Sequence, residues 1–459
     1  MTKINEEIFR TYDIRGIYPE ELNEETAYAI ARATVRFLGT KRIAIGHDTR
    51  LSSSKLFRAA IKGITDEGAT AYAFGLAGVE MFYFVCGHYK MDGGIMITAS
   101  HNAPEYNGMK LIREKAISLT TGTGIDKVKA ITLKEPWAGE KAKRKGKIKK
   151  ISPWKDYQKY IGKIIDLKSL EPLKVVIDAE NGMGGIMIED VLKESKVKLT
   201  KLNFNPNGRF PKHDPNPMIE ENRQEAKNKL KELRADLAFI TDGDADRVCV
   251  LDEKGELLMT DYVGALVAKK LLKEKKDKGI VWTAVKGWPI RDVAKQGKSR
   301  FYRTRQGFPF VKLKMRAVKA MFGGEPSGHY FYKDFFTSDS GVLTILNIID
   351  LVGKEKRPLS AIATKLRENY FMIEEQNFLV SNVDKLLALL EKEYKARGGK
   401  VSHLDCLSFE FPDWHFNFRP SNNPEPLYRL NVEAKTETIL KKELSALTKV
   451  IFEYGERVN

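Results

Sequence analysis

Short apolar runs alternate along most of the chain with segments whose apolar positions recur every three or four residues. Arg42-Ile43-Ala44-Ile45-Gly46 reads as a buried strand, followed by an amphipathic helix over 54–65. Lys174–Asp178 reads as a second strand, passing through Asn181-Gly182-Met183-Gly184-Gly185 into a helix from about Ile186. Leu237–Ile240 and Gly279–Trp282 are further strands. The repeated order of strand, glycine-containing turn and helix predicts α/β units with mainly parallel strands.

The last segment has a different pattern. A strand at Phe378-Leu379-Val380, a helix over Val383–Ala396, the pair Gly398-Gly399, alternating strands around Phe409 and Trp414, and a final helix from about Thr436 to Glu453 predict a smaller α+β domain. The expected organisation is three similar mixed-sheet α/β domains, over 1–149, 150–254 and 255–367, with the α+β domain over 368–459.

Composition narrows the class. A chain of 459 residues is too long for one core. Its 42% apolar content suits a folded globular protein and argues against general disorder. The excess of 78 basic over 61 acidic residues gives a net charge of +17, which favours anionic partners. Seven of the positive charges lie in 141–150, a run that reads as a solvated linker. Aromatic residues do not interleave a basic stripe, so nucleic acid is not an expected partner. Cys86, Cys249 and Cys406 are far apart and form no CxxC pair, which argues against a disulfide framework or zinc site and fits a cytoplasmic protein. The N-terminal residues lack the apolar core of a signal peptide, and no run reaches the length of a membrane span.

Four segments carry candidate chemistry. In Thr98-Ala99-Ser100-His101-Asn102-Ala103-Pro104-Glu105-Tyr106-Asn107-Gly108-Met109-Lys110, a polar loop between apolar runs presents Ser100 beside His101, with Lys110 ten residues on. Serine can act as a nucleophile or carry a phosphoryl group, and lysine can neutralise phosphate charge. In Thr241-Asp242-Gly243-Asp244-Ala245-Asp246-Arg247, three alternating carboxylates follow a strand and can converge on one hard cation, with Mg²⁺ favoured. An EF-hand would need glycine at its sixth position, where Arg247 stands, and the chain continues as a strand.

The third segment, Gly323-Gly324-Glu325-Pro326-Ser327-Gly328-His329, places Glu325, Ser327 and His329 where they can hold sugar hydroxyls; the alternative is an ordinary turn. The fourth runs from Arg419 through Ser421, Asn422 and Asn423 to Arg429, either a phosphate grip or a surface turn. His47, His88, His213, His403 and His415 are scattered and read as structural or exposed. No phosphate loop of the GxxxxGK[ST] type appears, and no GxGxxG follows a strand.

Together and in this order, the four segments resemble the α-D-phosphohexomutases, most closely the phosphomannomutase/phosphoglucomutase branch. The resemblance extends to Phe9-Arg10-Thr11-Tyr12-Asp13-Ile14-Arg15-Gly16 and Gly46-His47-Asp48-Thr49-Arg50. It implies four domains around a central cleft, with one loop from each. It implies that Ser100 is the phosphoserine and that Asp242, Asp244 and Asp246 bind Mg²⁺ together with its phosphate. His101, Lys110 and Arg247 would line the transfer site, with Tyr12 and Arg15 nearby. Glu325, Ser327 and His329 would hold the sugar, and Arg419, Ser421, Asn422, Asn423 and Arg429 the non-reacting phosphate.

The implied reaction interconverts hexose 1-phosphate and hexose 6-phosphate through a 1,6-bisphosphate, and both mannose and glucose fit the sugar loop. The rival readings are a metal-dependent sugar phosphatase and a non-catalytic phosphosugar-binding relative. Three departures stand out. Ala103 replaces a second proline, and the phosphate loop, Ser421–Pro426, is one residue longer. Arg305-Gln306-Gly307-Phe308 stands where the family commonly has Lys-Xaa-Gly-His. Phe308 cannot carry a proton, which leaves His101, His329 or Lys286 as general base. The resemblance implies that Lys286 stands in for the family's domain-three lysine and, with Tyr12 and Arg15, binds substrate.

Overall fold

The computed structural model describes residues 4–134, 137, 141–275, 278–421 and 427–458. The chain divides into two compact units. One comprises Met1–Leu258 with Ser327–Leu359, the other Met259–Pro326 with Ser360–Asn459. Among the described residues no helix is long and apolar enough to cross a membrane.

In the first sheet the strands lie in the order Ile14–Ile17, Tyr106–Arg113, Gly93–Ile97, Arg42–His47, Thr70–Leu76 and Ile148–Lys150. The inner strands are parallel, and Tyr106–Arg113 runs antiparallel to both its neighbours. Ile43, Ile45, Ile95, Ile97 and Leu111 are buried with apolar residues of the helices Glu24–Leu38 and Ser53–Asp66. The first of these helices begins at Asn23, whose side chain accepts from the Thr26 amide, and ends at Gly39 with φ 61°.

The basic run 141–150 is less free than a linker. Ile148–Lys150 pairs in parallel with Thr70–Leu76, while its side chains stay exposed. The main chain takes up the unpaired edge of the sheet, which satisfies its hydrogen bonds and leaves the charges in water.

The second sheet has the order Leu257–Leu258, Val248–Leu251, Leu237–Thr241, Lys174–Asp178, Lys198–Leu202. Its last three strands are parallel; Leu237–Thr241 and Val248–Leu251 form an antiparallel pair with Thr241 opposite Val248. The turn 181–185 enters the helix Gly184–Leu192 and packs on the acidic loop, the Met183 amide donating to the Gly243 carbonyl across 2.9 Å.

In the second unit, Phe301–Thr304, Ile280–Thr283 and Phe322–Gly324 are parallel. The pair Tyr330–Tyr332 and Ser338–Asp339, antiparallel, belongs to the first unit. The sheets are mixed, as expected from the sequence, with antiparallel strands such as Tyr106–Arg113 and Val248–Leu251 beside the parallel ones.

The C-terminal sheet is antiparallel, in the order Lys400–Ser402, Leu407–Glu410, Trp414–Pro420, Leu427–Ala434, Gln376–Val380, Gly455–Val458. Helices Val383–Ala396 and Glu437–Phe452 bury Leu386, Leu390 and Leu447 against Phe378, Phe409 and Phe416. This is the expected α+β domain.

Candidate active site

Ser100 lies in the connection between the antiparallel strands Gly93–Ile97 and Tyr106–Arg113. Its φ of 50° is unusual for a residue with a side chain, so the surrounding structure must hold it there. Two buried arginines do so. Arg50 donates to the carbonyls of Ser100 at 2.9 Å, Asn102 at 2.5 Å, Ala103 at 2.6 Å and Tyr106 at 3.0 Å. Arg15, paired with Asp13 at 2.9 Å, donates to the Ala99 carbonyl and to Asn102 Oδ1. Tyr12 is half-buried and interacts electrostatically with Arg15.

The acidic loop joins Leu237–Thr241 to Val248–Leu251 and meets the serine loop directly. Ser100 Oγ donates to Asp242 Oδ2 across 2.8 Å. Asp242 Oδ1 accepts the Asp246 and Arg247 amides. Lys110 Nζ donates to Asp244 Oδ2 at 2.8 Å and Asp246 Oδ2 at 2.7 Å. Thr98 Oγ1 accepts from the Ser100 amide and donates to Asp244 Oδ2, both across 3.0 Å. Gly243 is required by this approach, since a Cβ there would sit 2.5 Å from the Ser100 carbonyl oxygen.

His101 Nδ1 stands 3.3 Å from Ser100 Oγ. His329 Nε2 stands 3.1 Å from Asp246 Oδ1, with Ser327 Oγ 2.9 Å from His329 Nδ1. Arg247 Nε is 3.8 Å from Asp242 Oδ2.

Burial and the neighbouring charges of Asp246 and Asp244 push the Asp242 carboxyl up to about 8. Burial alone would lower the Lys110 ammonium, but Asp244 and Asp246 hold it above its ordinary value. Burial, with Arg247 and Arg15, keeps His101 neutral. One carboxylate oxygen from each of Asp242, Asp244 and Asp246 lies within 4.8 Å of the others. Among the described residues, Asp244 Oδ1 is buried without a hydrogen-bond donor. Three buried, hard oxygen donors that repel one another and leave one lone pair unmet fit a divalent cation such as Mg²⁺.

The remaining expected residues belong to the second unit. Glu325 Oε2 accepts the Gly307 amide at 3.0 Å, at the N-terminus of the helix Phe308–Val318. Phe308 is the first residue of that helix and is buried. Lys286 is buried, and its Nζ donates to the Ile373 carbonyl at 3.0 Å. Arg419 and Arg429 are register partners on adjacent strands, and both bind Glu375. Ser421 is buried, and its amide donates to the Leu427 carbonyl. Asn422 and Asn423 lie outside the described residues.

The sugar segment is thus divided, Glu325 in the second unit and Ser327 with His329 in the first. Asp13, Arg50, Thr98 and Glu375 were assigned no role from sequence. Arg50 lies in the quoted run Gly46–Arg50 and could have been suspected; Glu375 carries no local signal.

Comparison with known proteins gives a consistent result. Family models of phosphoglucomutase/phosphomannomutase α/β/α domains I, II and III match residues 6–138, 155–255 and 259–370. A phosphomannomutase of Escherichia coli is 33% identical over 451 residues, covering 96% of this chain and 99% of that protein. A protein of Xanthomonas campestris pv. campestris named phosphohexose mutases is 33% identical, covering 94% and 96%. The crystal structure of a phosphoglucomutase/phosphomannomutase family protein from Burkholderia thailandensis superposes with a TM-score of 0.88 at 28% identity, covering 97% of each chain.

Proposed function

The chain belongs to the phosphoglucomutase/phosphomannomutase family of the α-D-phosphohexomutases and is a phosphohexose mutase, and on that premise we propose that Ser100 is its phosphoryl carrier. The observation that carries this reading is the hydrogen bond from Ser100 Oγ to Asp242, within a buried set of Asp244, Asp246 and Lys110. A serine donor among acids and one lysine suits reversible phosphorylation.

In the proposed cycle, phosphorylated Ser100 transfers its phosphoryl group to the O6 hydroxyl of a hexose 1-phosphate. The bond from phosphorus to Oγ breaks, the bond to O6 forms, and the hydroxyl proton leaves to a base. Oγ takes up a proton as it leaves, the bound 1,6-bisphosphate turns, and Ser100 Oγ then attacks the other phosphate: the bond from phosphorus to O1 breaks, the bond to Oγ forms, the serine proton leaves to a base, and O1 gains a proton. Hexose 6-phosphate remains. Bound Mg²⁺, held by Asp242, Asp244, Asp246 and the serine oxygen, would supply positive charge to the transferring group.

The chain's own residues do the rest. Arg50 and Arg15 fix the serine loop. Lys110 supplies positive charge that stays in place across the neutral pH range. The Asp242 carboxyl, which accepts the Ser100 hydroxyl at 2.8 Å, is placed to take that proton when Oγ attacks, with His101 Nδ1 beside it at 3.3 Å. Glu325, Ser327 and His329 would hold sugar hydroxyls; Arg419, Ser421, Asn422, Asn423 and Arg429 would hold the phosphate that does not react.

A coupled assay with mannose 1-phosphate and glucose 1-phosphate, in Mg²⁺ and a trace of glucose 1,6-bisphosphate, tests the reading. Formation of hexose 6-phosphate is expected. Release of free phosphate without it would overturn the proposal.

A further inference from the structure

Arg419 and Arg429 present a physical problem that Glu375 solves. They sit directly opposite each other on the antiparallel strands Trp414–Pro420 and Leu427–Ala434. Like charges at opposed positions destabilise a sheet unless an anion lies between them. Glu375, just before the strand Gln376–Val380, supplies that anion. Its Oε1 accepts from Arg429 Nη1 at 2.6 Å, and its Oε2 from Arg419 Nη2 at 2.9 Å and Asn431 Nδ2 at 2.8 Å. Burial opposes this charge, but Arg419 and Arg429 hold the carboxyl down to about 2.

Asp405 and Lys286, among the described residues, also face the cluster. Asp405 Oδ2 is 3.8 Å from Arg419 Nε, and Lys286 interacts electrostatically with Glu375. The cluster is not sealed, since the side chains of Glu375 and Arg429 remain 25% and 27% exposed. A carboxylate thus occupies the arginine pair on its open side, where Arg429 and Glu375 are within reach of a phosphate monoester, while the Arg419 side chain lies beneath them at 4% exposure.

We propose that Glu375 is the built-in counter-ion of the phosphate grip, binding Arg419 and Arg429 when substrate is absent and competing with the substrate's phosphate when it is present. This rests on the assignment of the two arginines to phosphate binding. The exchange moves no proton and breaks no covalent bond; one anion replaces another on two guanidinium groups. Its consequence is kinetic. A bisphosphate that must turn between two half-reactions has to leave this grip and return to it. An internal competitor weakens the hold on the ground state, which keeps binding energy from trapping the intermediate.

The test is calorimetry with glucose 1-phosphate on the full-length Ser100→Ala protein, with and without Glu375→Gln, alongside steady-state kinetics of Glu375→Gln in the active enzyme. Removing the competing charge should tighten binding roughly threefold to tenfold, and kcat should fall together with KM. Weaker or unchanged binding would overturn the proposal, leaving Glu375 a scaffold for the arginines. So would a phosphosugar that binds neither protein. If Glu375→Gln does not fold, Glu375→Asp serves as the second arm. Its shorter side chain cannot span both arginines, so it too should tighten binding, by a smaller factor, and unchanged or weaker binding there counts against the proposal. An inactive wild-type enzyme would overturn the mutase reading instead, and calorimetry would still decide the role of Glu375.

Discussion

The Ser100 hydroxyl donates a hydrogen bond to the Asp242 carboxylate across 2.8 Å, although 142 positions separate them in sequence. The contact joins the two α/β sheets of the first unit at the point where a serine hydroxyl and a cluster of hard oxygen donors meet.

Asp244 provides the most direct test of metal binding. Among the described residues its Oδ1 is buried and receives no hydrogen bond, so it is an oxygen able to take a cation. Asp244→Asn should lower Mg²⁺-dependent turnover by ~10²–10³-fold. The melting temperature without metal should stay level or rise, since one of three mutually repelling charges is gone. Loss of the Mg²⁺-induced rise in melting temperature is the readout that does not depend on activity.

Arg50 should control the serine loop without touching substrate. Four loop carbonyls bind its guanidinium. Arg50→Lys keeps the charge but has no planar fork, so it cannot satisfy all four. We expect kcat to fall on the order of 10²-fold from misplacement of Ser100. Circular dichroism should show retained secondary structure, and limited proteolysis should cut faster between Ala99 and Tyr106.

Glu80 should give stability a pH dependence. It is fully buried, accepting from Tyr157 at 2.7 Å, from Ser340 at 2.6 Å and from the Val342 amide, and burial pushes it up to about 7. The folded protein then holds this proton from pH 4.5 to about 7 while the unfolded chain loses it. Stability from this group is therefore present at low pH and declines as pH rises through that window. The loss is at most about 3 kcal/mol, and Glu80→Gln should flatten this part of the profile in denaturant melts at pH 5 and pH 7.

Gly243 is a steric test of the loop contact. A Cβ at this position would meet the Ser100 carbonyl oxygen at 2.5 Å and Pro215 at 3.1 Å. Gly243→Ala should push the two loops apart and reduce turnover by at least ~10²-fold. Titration of Mg²⁺ should show weakened binding in the same variant.

Local elements were legible in the sequence where periodicity is local. The helix Val383–Ala396 and the strands around Ile43, Val176 and Phe239 emerge from side-chain pattern alone. Ser100 and the acidic loop were legible through residue chemistry, since clustered carboxylates need an explanation wherever they fold. Pairing between distant segments was not. Nothing near Glu375 marks it as the partner of two arginines more than forty residues away. Nor does the composition of 141–150 reveal that its last residues take a sheet edge, because that pairing uses main-chain groups common to every sequence. Arg50 lies between these cases; its motif was visible, but its four acceptors depend on how the serine loop folds back.

Mass spectrometry of the peptide containing Ser100, after incubation with glucose 1,6-bisphosphate and Mg²⁺, decides the central point. Wild-type protein should carry one phosphate on Ser100, and Ser100→Ala should carry none and lose mutase activity. Unmodified Ser100 in an enzyme that still converts hexose 1-phosphate to hexose 6-phosphate would contradict its role as the phosphoryl carrier.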